Sequence, residues 1–459
     1  MKANWYWIYI GALILFGPLS LFSQVTFKGE VKAGNEPLPY AQVSVQGGST
    51  GAVANLNGYF EIKDLPAGWL VFQIRAIGYK PFSDSVEVKD GQVYSQNFTL
   101  KPDVFGLEQV VVSASRNEQN RAQAAVRVDV IGQRQLEQVN AWSVSDGLKY
   151  SPGLRMETNC QNCGFSQVRI NGLAGTYSQI LINGRPTFSA LNSIYGLEQI
   201  PTDMLDRVEV IKGGGSALYG SNAIGGTINV ITKEPVRNSY SIHTQGAVMN
   251  SKSGAYNLGF NTTRMTKSYN GGISLFGNYR SREAYDRDGD GYSEIPRLQN
   301  LGLGTRAFHR LGKQAKLSLN VYGLQEYRRG GNLLDLEPHE TDIAEELQSE
   351  VIGGELAFDY WSKNGKNKWN AFVSAQNTNM DNYYGGGQDP NGYGKTTDFS
   401  FVSGLQYSRK SKGPFIGKGE LTSGLEYKWD DMADEKPGYN LYIDQTISTL
   451  GPTCNTIGM

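Results

Sequence analysis

The chain has 459 residues and a formal charge of −1, with 43 Lys/Arg against 44 Asp/Glu interspersed along it, so the basic stripe that nucleic-acid binding requires is absent. Glycine is high at 56 residues, tyrosine at 26, and mean hydropathy is −0.40. No run of about 18 apolar residues follows the N-terminus, which excludes a transmembrane helix in the body of the chain but not a strand-built membrane protein, where only alternate residues face lipid.

The first residues read as an export signal. Lys2 supplies the positive start, Trp5 to Phe16 the apolar stretch, and Leu21-Phe22-Ser23 before Gln24 a cleavage site. An N-terminal membrane anchor is the alternative. No cysteine lies near the cut, which argues against a lipoprotein signal, and the total of three cysteines fits export.

From Val25 to Leu100 the pattern is that of a compact all-β module. Short strands at Val43–Val45, Tyr59–Ile62, Leu70–Ile74, Ser85–Val88 and Gln96–Leu100 alternate with turn clusters such as Asn57-Gly58 and Pro66-Ala67-Gly68. About 75 residues with that spacing imply a small Ig-like β-sandwich. Pro37 to Val45, Asn57-Gly58-Tyr59-Phe60 and Arg75-Ala76-Ile77-Gly78-Tyr79 resemble the carboxypeptidase-regulatory-like domain. The resemblance implies a spacer or docking domain; the module has no His, Cys or clustered carboxylates for a catalytic metal.

Residues 102–235 carry the most specific text. Glu108, Gln109, Val110, Val111, Val112, Ser113 and Ala114 form a short β-prone peptide in polar surroundings, suited to adding a strand to a partner's sheet edge. An ordinary linker strand is the competing reading of this stretch alone. It resembles the TonB box of TonB-dependent receptors. Asp146 to Leu154, Val168 to Gly172, Gln179 to Pro186, Ile200-Pro201 through Asp206 to Gly213, Ser216 to Gly220 and Ala223 to Lys233 resemble that family's plug domain in order. Gly220-x4-Gly225 has Gly226-Thr227 where a P-loop needs Lys then Ser/Thr, and Leu218 stands where a nucleophile elbow needs Gly.

Cys160 and Cys163 form a C-x2-C within the plug. His243, His309 and His339 are the chain's histidines and none is close in sequence, so zinc lacks its further ligands. A disulfide formed in an oxidising compartment is the leading expectation, with a metal-complex contact or an incidental thiol pair as alternatives. The run Asn159 to Phe165, with the fused N-terminal module, looks like the Bacteroidota-type variant of the receptors.

After Tyr240, period-2 strands such as Lys316–Tyr322 and Lys368–Ala375 continue to the end. Their connections alternate between tight (266–269, 311–315, 362–367, 411–417) and long (283–297, 330–345, 383–397), as in an outer-membrane barrel. Asp286, Asp288, Asp290 and Glu294 match an EF-hand loop at positions 1, 3, 5 and 9, with Gly291 at position 6, but Arg297 replaces the bidentate Glu at 12. Calcium binding and a solvated acidic loop both remain open. Tyr383, Tyr384 and Tyr393 supply aromatic faces for a large ligand, and His339 is a possible contact to a metal complex.

The expected fold is mainly β, ordered as signal peptide (1–23), Ig-like sandwich (24–101), linker with TonB box (102–116), α+β plug domain (117–235) and incomplete transmembrane antiparallel β-barrel (236–459). The strands number about nine, where plugged transporters have about 22. The last stretch, Gly451 to Ile457, loses alternation, and a truncated product or fragment is the expectation. The resemblance implies a receptor that takes up a scarce nutrient as a small metal chelate (an iron siderophore, haem or cobalamin type), with TonB as energy-coupling partner, outer-membrane lipid around it and a surface lipoprotein as a further partner. It needs no cofactor beyond the possible calcium and performs no covalent chemistry. A signalling or adhesion receptor without transport is the alternative.

Overall fold

The computed structural model describes residues 25–458 apart from stretches of one to ten residues, the longest being 102–109, 159–163 and 187–196. The expected signal peptide lies outside the described residues. The chain divides into two compact units at residue 106.

The first unit is a sandwich of two sheets. In one, Val25–Ala33 pairs antiparallel with Tyr59–Leu65 and parallel with Val93–Ser95 and Phe98–Thr99. The other runs in the order Gly51–Val53, Gln42–Val45, Gly68–Arg75, Phe82–Val88. Alternate residues of each sheet enter one core, where Phe27 stacks on Phe72 with centroids 4.1 Å apart, and Phe60 and Phe98 lie alongside. Gly29 is required there, because a Cβ would stand 1.8 Å from the Gln96 carbonyl oxygen. Strand Val25–Ala33, central to its sheet, was not among the strands expected from turn spacing, since no turn cluster precedes it.

The second unit holds a plug and a barrel wall. The plug sheet runs Val128–Gly132, Leu205–Lys212, Gly226–Thr232, Ser178–Ile182, the last pair parallel. Helices Gln133–Gln138 and Val144–Leu148 and the hairpin Leu154–Thr158/Ser166–Ile170 pack with it. Ser143 and Asp146 form a capping box that starts the second helix. Phe276, Tyr322, Leu324 and Val351 of the barrel belong to the same buried cluster as Met204, Leu205 and Ile228 of the plug. Plug and wall therefore share one core.

The wall is an antiparallel meander of ten strands: Ser239–Met249, Ser253–Met265, Gly271–Arg282, Arg297–Leu311, Ala315–Gly331, Ile343–Trp361, Asn367–Gly386, Tyr393–Gly413, Gly417–Lys436 and Leu441–Gly458. Leu317, Leu319 and Val321 are exposed on one face, while Asn320, Tyr322, Leu324, Glu326 and Arg328 are buried on the other. A row of apolar side chains facing lipid and a polar row facing the plug account for the low mean hydropathy.

Two expectations are corrected. Among the described residues ten strands stand where about nine were expected. The tenth pairs with the ninth from Lys436↔Leu441 to Gly419↔Gly458, although its side chains do not alternate. Ladder pairing needs only main-chain donors and acceptors, and Pro452 is tolerated because this strand lies at the margin of the described sheet. Short turns sit at 312–314 and 362–366; the opposite side carries 250–252, 283–296, 332–342, 387–392 and 437–440. The loop expected at 383–397 shrinks to six residues because both flanking strands continue past the apolar band.

Candidate functional site

The segment resembling a TonB box meets the plug at one buried carboxylate. Val110 and Val111 pair with Asn120 and Gln119, and Val111 packs on Val128 and Ile211. The main-chain N–H groups of Val112 and Ser113 then donate to Glu209 Oε2 at 2.9 and 2.8 Å, and the Ser113 hydroxyl donates to the same oxygen at 2.6 Å. Arg207 Nε donates to the other oxygen at 2.8 Å. Asn229 Nδ2 donates to Ser113 Oγ and the Tyr219 hydroxyl to the Ser113 carbonyl, both at 2.9 Å. Burial pushes the Tyr219 phenol up, which keeps it a donor. Glu108, Gln109 and Ala114 lie outside the described residues, as do Cys160 and Cys163.

Charged pairs tie the plug to the wall on several strands. Arg116 meets Glu426 at 2.6 Å. Arg185 reaches Asn370 at 2.9 Å and Glu355 at 3.5 Å and lies 3.3 Å above the Phe372 ring. Arg306 donates to Asn183 at 2.9 Å, and Lys316 pairs with Glu234. Deepest of all, Arg328 binds Glu198 at 2.5 Å, Glu326 at 2.6 Å and the Gly164 carbonyl at 3.0 Å while only 2% exposed. Burial opposes ionisation of Glu198, but Arg328 and Arg280 outweigh it and hold the carboxyl below its ordinary range. Breaking such a pair costs more than forming it gains, because the partner is left charged and dry.

On the long-loop side, one carboxylate oxygen from each of Asp286, Asp288, Asp290 and Glu294 lies within 4.8 Å of all the others. Asp286 accepts from the N–H groups of Gly289 at 2.6 Å and Gly291 at 2.9 Å, which lowers its pKa. Four oxygens so gathered can hold a hard cation. His339 Nδ1 lies 2.8 Å from the Tyr393 hydroxyl, and Tyr393 meets Tyr383 edge to face at 4.8 Å. Tyr383 and Tyr393 stand directly opposite each other, at even steps from Val373 and Leu405. The pleat thus puts them on the outward face, above the apolar band, and turns Tyr384 inward beside Lys436 at 5.0 Å.

Comparison with known proteins agrees with this construction. Residues 120–227 match the model of the TonB-dependent Receptor Plug Domain, and residues 27–112 match that of the CarboxypepD_reg-like domain. The vitamin B12 transporter BtuB of Vibrio vulnificus is 36% identical over 178 residues, which is 39% of this chain and 28% of that one. The chain carries the plug domain of the TonB-dependent receptors. BtuB of Photobacterium profundum is 28% identical over 222 residues, 46% of this chain and 34% of that transporter. The ferripyoverdine receptor of Pseudomonas aeruginosa superposes with a TM-score of 0.59 at 14% identity, covering 79% of this chain and 54% of that one. The siderophore receptor PirA of Acinetobacter baumannii gives 0.56 at 19% identity, covering 67% and 48%. The chain thus spans about a third or less of the curated relatives' length and about half that of the solved structures.

Sequence reasoning singled out the strand around Glu209 but not its role in the receptor. The signal was there: a carboxylate in the apolar run Val208-Glu209-Val210-Ile211 is costly unless something donates to it. The Arg328 cluster left no comparable sign, since Glu198 lies 130 residues away.

Proposed function

We propose that this chain forms the plug-bearing part of an outer-membrane transporter that takes up a scarce nutrient with energy supplied through TonB. The observation that carries the reading is a plug held in the barrel wall by buried ion pairs, with a β-prone segment fastened to it through a few polar bonds. That arrangement suits a gate opened by pulling. The long loops face outward and bind the ligand, and the sandwich and box lie in the periplasm.

The matched curated relatives are named as vitamin B12 transporters and the solved ones as siderophore receptors. A bulky metal chelate of cobalamin or siderophore type is therefore the ligand class, with haem a weaker candidate because the chain has only three histidines. A strain lacking the whole receptor should lose growth on one limiting cobalamin or ferric-siderophore source and regain it on complementation. Unchanged growth on all of them would favour the signalling or adhesion alternative. Outer-membrane lipid covers the apolar face, and a surface lipoprotein is a further partner for the outer loops.

The orientation has a direct test. Asp335→Cys, in a long loop, should react with a membrane-impermeant maleimide in intact cells, and Lys363→Cys, in a short turn, only after the outer membrane is opened. The reverse pattern would invert the topology.

The four converging carboxylates favour calcium in loop 283–296. Titration calorimetry on the purified receptor should detect one calcium ion that Asp288→Asn weakens by about tenfold or more. Equal heats from both proteins would leave a solvated acidic loop.

A further inference from the structure

We infer that Glu209 is a releasable anchor, which holds the C-terminal part of the TonB box, Val112 and Ser113, on an inner strand of the plug sheet and delivers tension from the box to that strand. This rests on the TonB-coupling reading and extends it by naming where the pull enters.

The geometry separates two holds on the segment. Among the described residues the ladder of Val110 and Val111 with Asn120 and Gln119 is two residues long and peels one pair at a time. The next two residues bring three donors to a single oxygen of Glu209, whose side chain is 0% exposed. Bonds to an ionised acceptor are about twice as strong as neutral ones, so a peel that passes Val111 stops at Ser113. Glu209 sits on Leu205–Lys212, paired on one side with Val128–Gly132 and on the other with Gly226–Thr232. Load arriving there reaches the inside of the sheet rather than its edge.

Opening leaves the carboxylate in a dry site with Arg207 as its remaining charged partner. That penalty favours return of Val112 and Ser113 once tension ends, so the anchor resets itself.

Two measurements on the whole receptor test the anchor. In Glu209→Gln, amide exchange over residues 110–116 should accelerate by at least about tenfold, with strand 226–232 unchanged as the fold control. Unchanged exchange at 110–116 overturns the proposal. If strand 226–232 accelerates too, Ser113→Ala decides, because it removes only the hydroxyl: faster exchange confined to 110–116 supports the anchor, and no change overturns it. The second measurement is binding of the purified periplasmic domain of TonB without transport ligand. Glu209→Gln should bind it at least about fivefold more tightly while uptake falls, since a freed segment docks more readily but no longer passes load to the sheet. A merely structural role would not raise that affinity, and equal affinity in the two proteins overturns force delivery. No binding by either protein overturns the coupling reading itself, and the exchange result then judges the anchor separately.

Discussion

Val111→Pro is expected to abolish uptake in the whole receptor while ligand affinity stays within about twofold of wild type, because the outer loops share no partner with Val111. The side chain at this position is buried against Val128 and Ile211, and its main chain pairs with Gln119. Proline removes the N–H that a strand added to TonB would use and fixes φ near a value the ladder does not favour. Val111→Ala keeps the N–H and loses only side-chain packing, so it should retain most uptake. Radiolabelled-ligand uptake and equilibrium binding on the same cells separate the two effects. Wild-type uptake in the proline variant would remove this segment as the box.

Arg328→Met should loosen the plug more than any other single change in the receptor. The guanidinium is enclosed by Glu198, Glu326 and the Gly164 carbonyl, and its loss leaves two carboxylates in a dry site. Removing one partner of a buried pair costs about 3–5 kcal/mol. The plug should unfold at lower urea, and cells should admit large antibiotics that the wild-type receptor excludes. The pH dependence gives the sign. Glu198 in the wild-type protein has a lowered pKa, so its contribution is complete above the unfolded value and fades only as pH falls through the lower folded one. In the variant, Glu198 loses its main partner and acid relieves the penalty, so the gap between the two proteins should narrow towards low pH. A gap independent of pH would assign the defect to packing alone.

The fold class was legible because its signals are local. Period-2 rows such as Leu317, Leu319 and Val321 mark the strands, and the two long loops at 283–296 and 332–342 mark one side. The tenth strand was not legible, because Leu441–Gly458 is held by its neighbour's backbone rather than by a side-chain pattern. The tyrosines show the same limit more finely. Tyr383 and Tyr384 looked equivalent in a loop, yet the continuing strand turns one outward and the other inward. Glu209 was visible as an anomaly without a partner, whereas Arg116–Glu426 joins residues 310 apart and could be found only in three dimensions.

Phe276, Tyr322, Leu324 and Val351 complete a cluster whose other members come from the plug. An order of assembly follows. A plug that reached its final form before the wall existed would show that apolar face to water. Plug and wall are therefore expected to complete their packing together. An isolated 117–235 fragment should accordingly bind hydrophobic dyes and lack fixed tertiary packing.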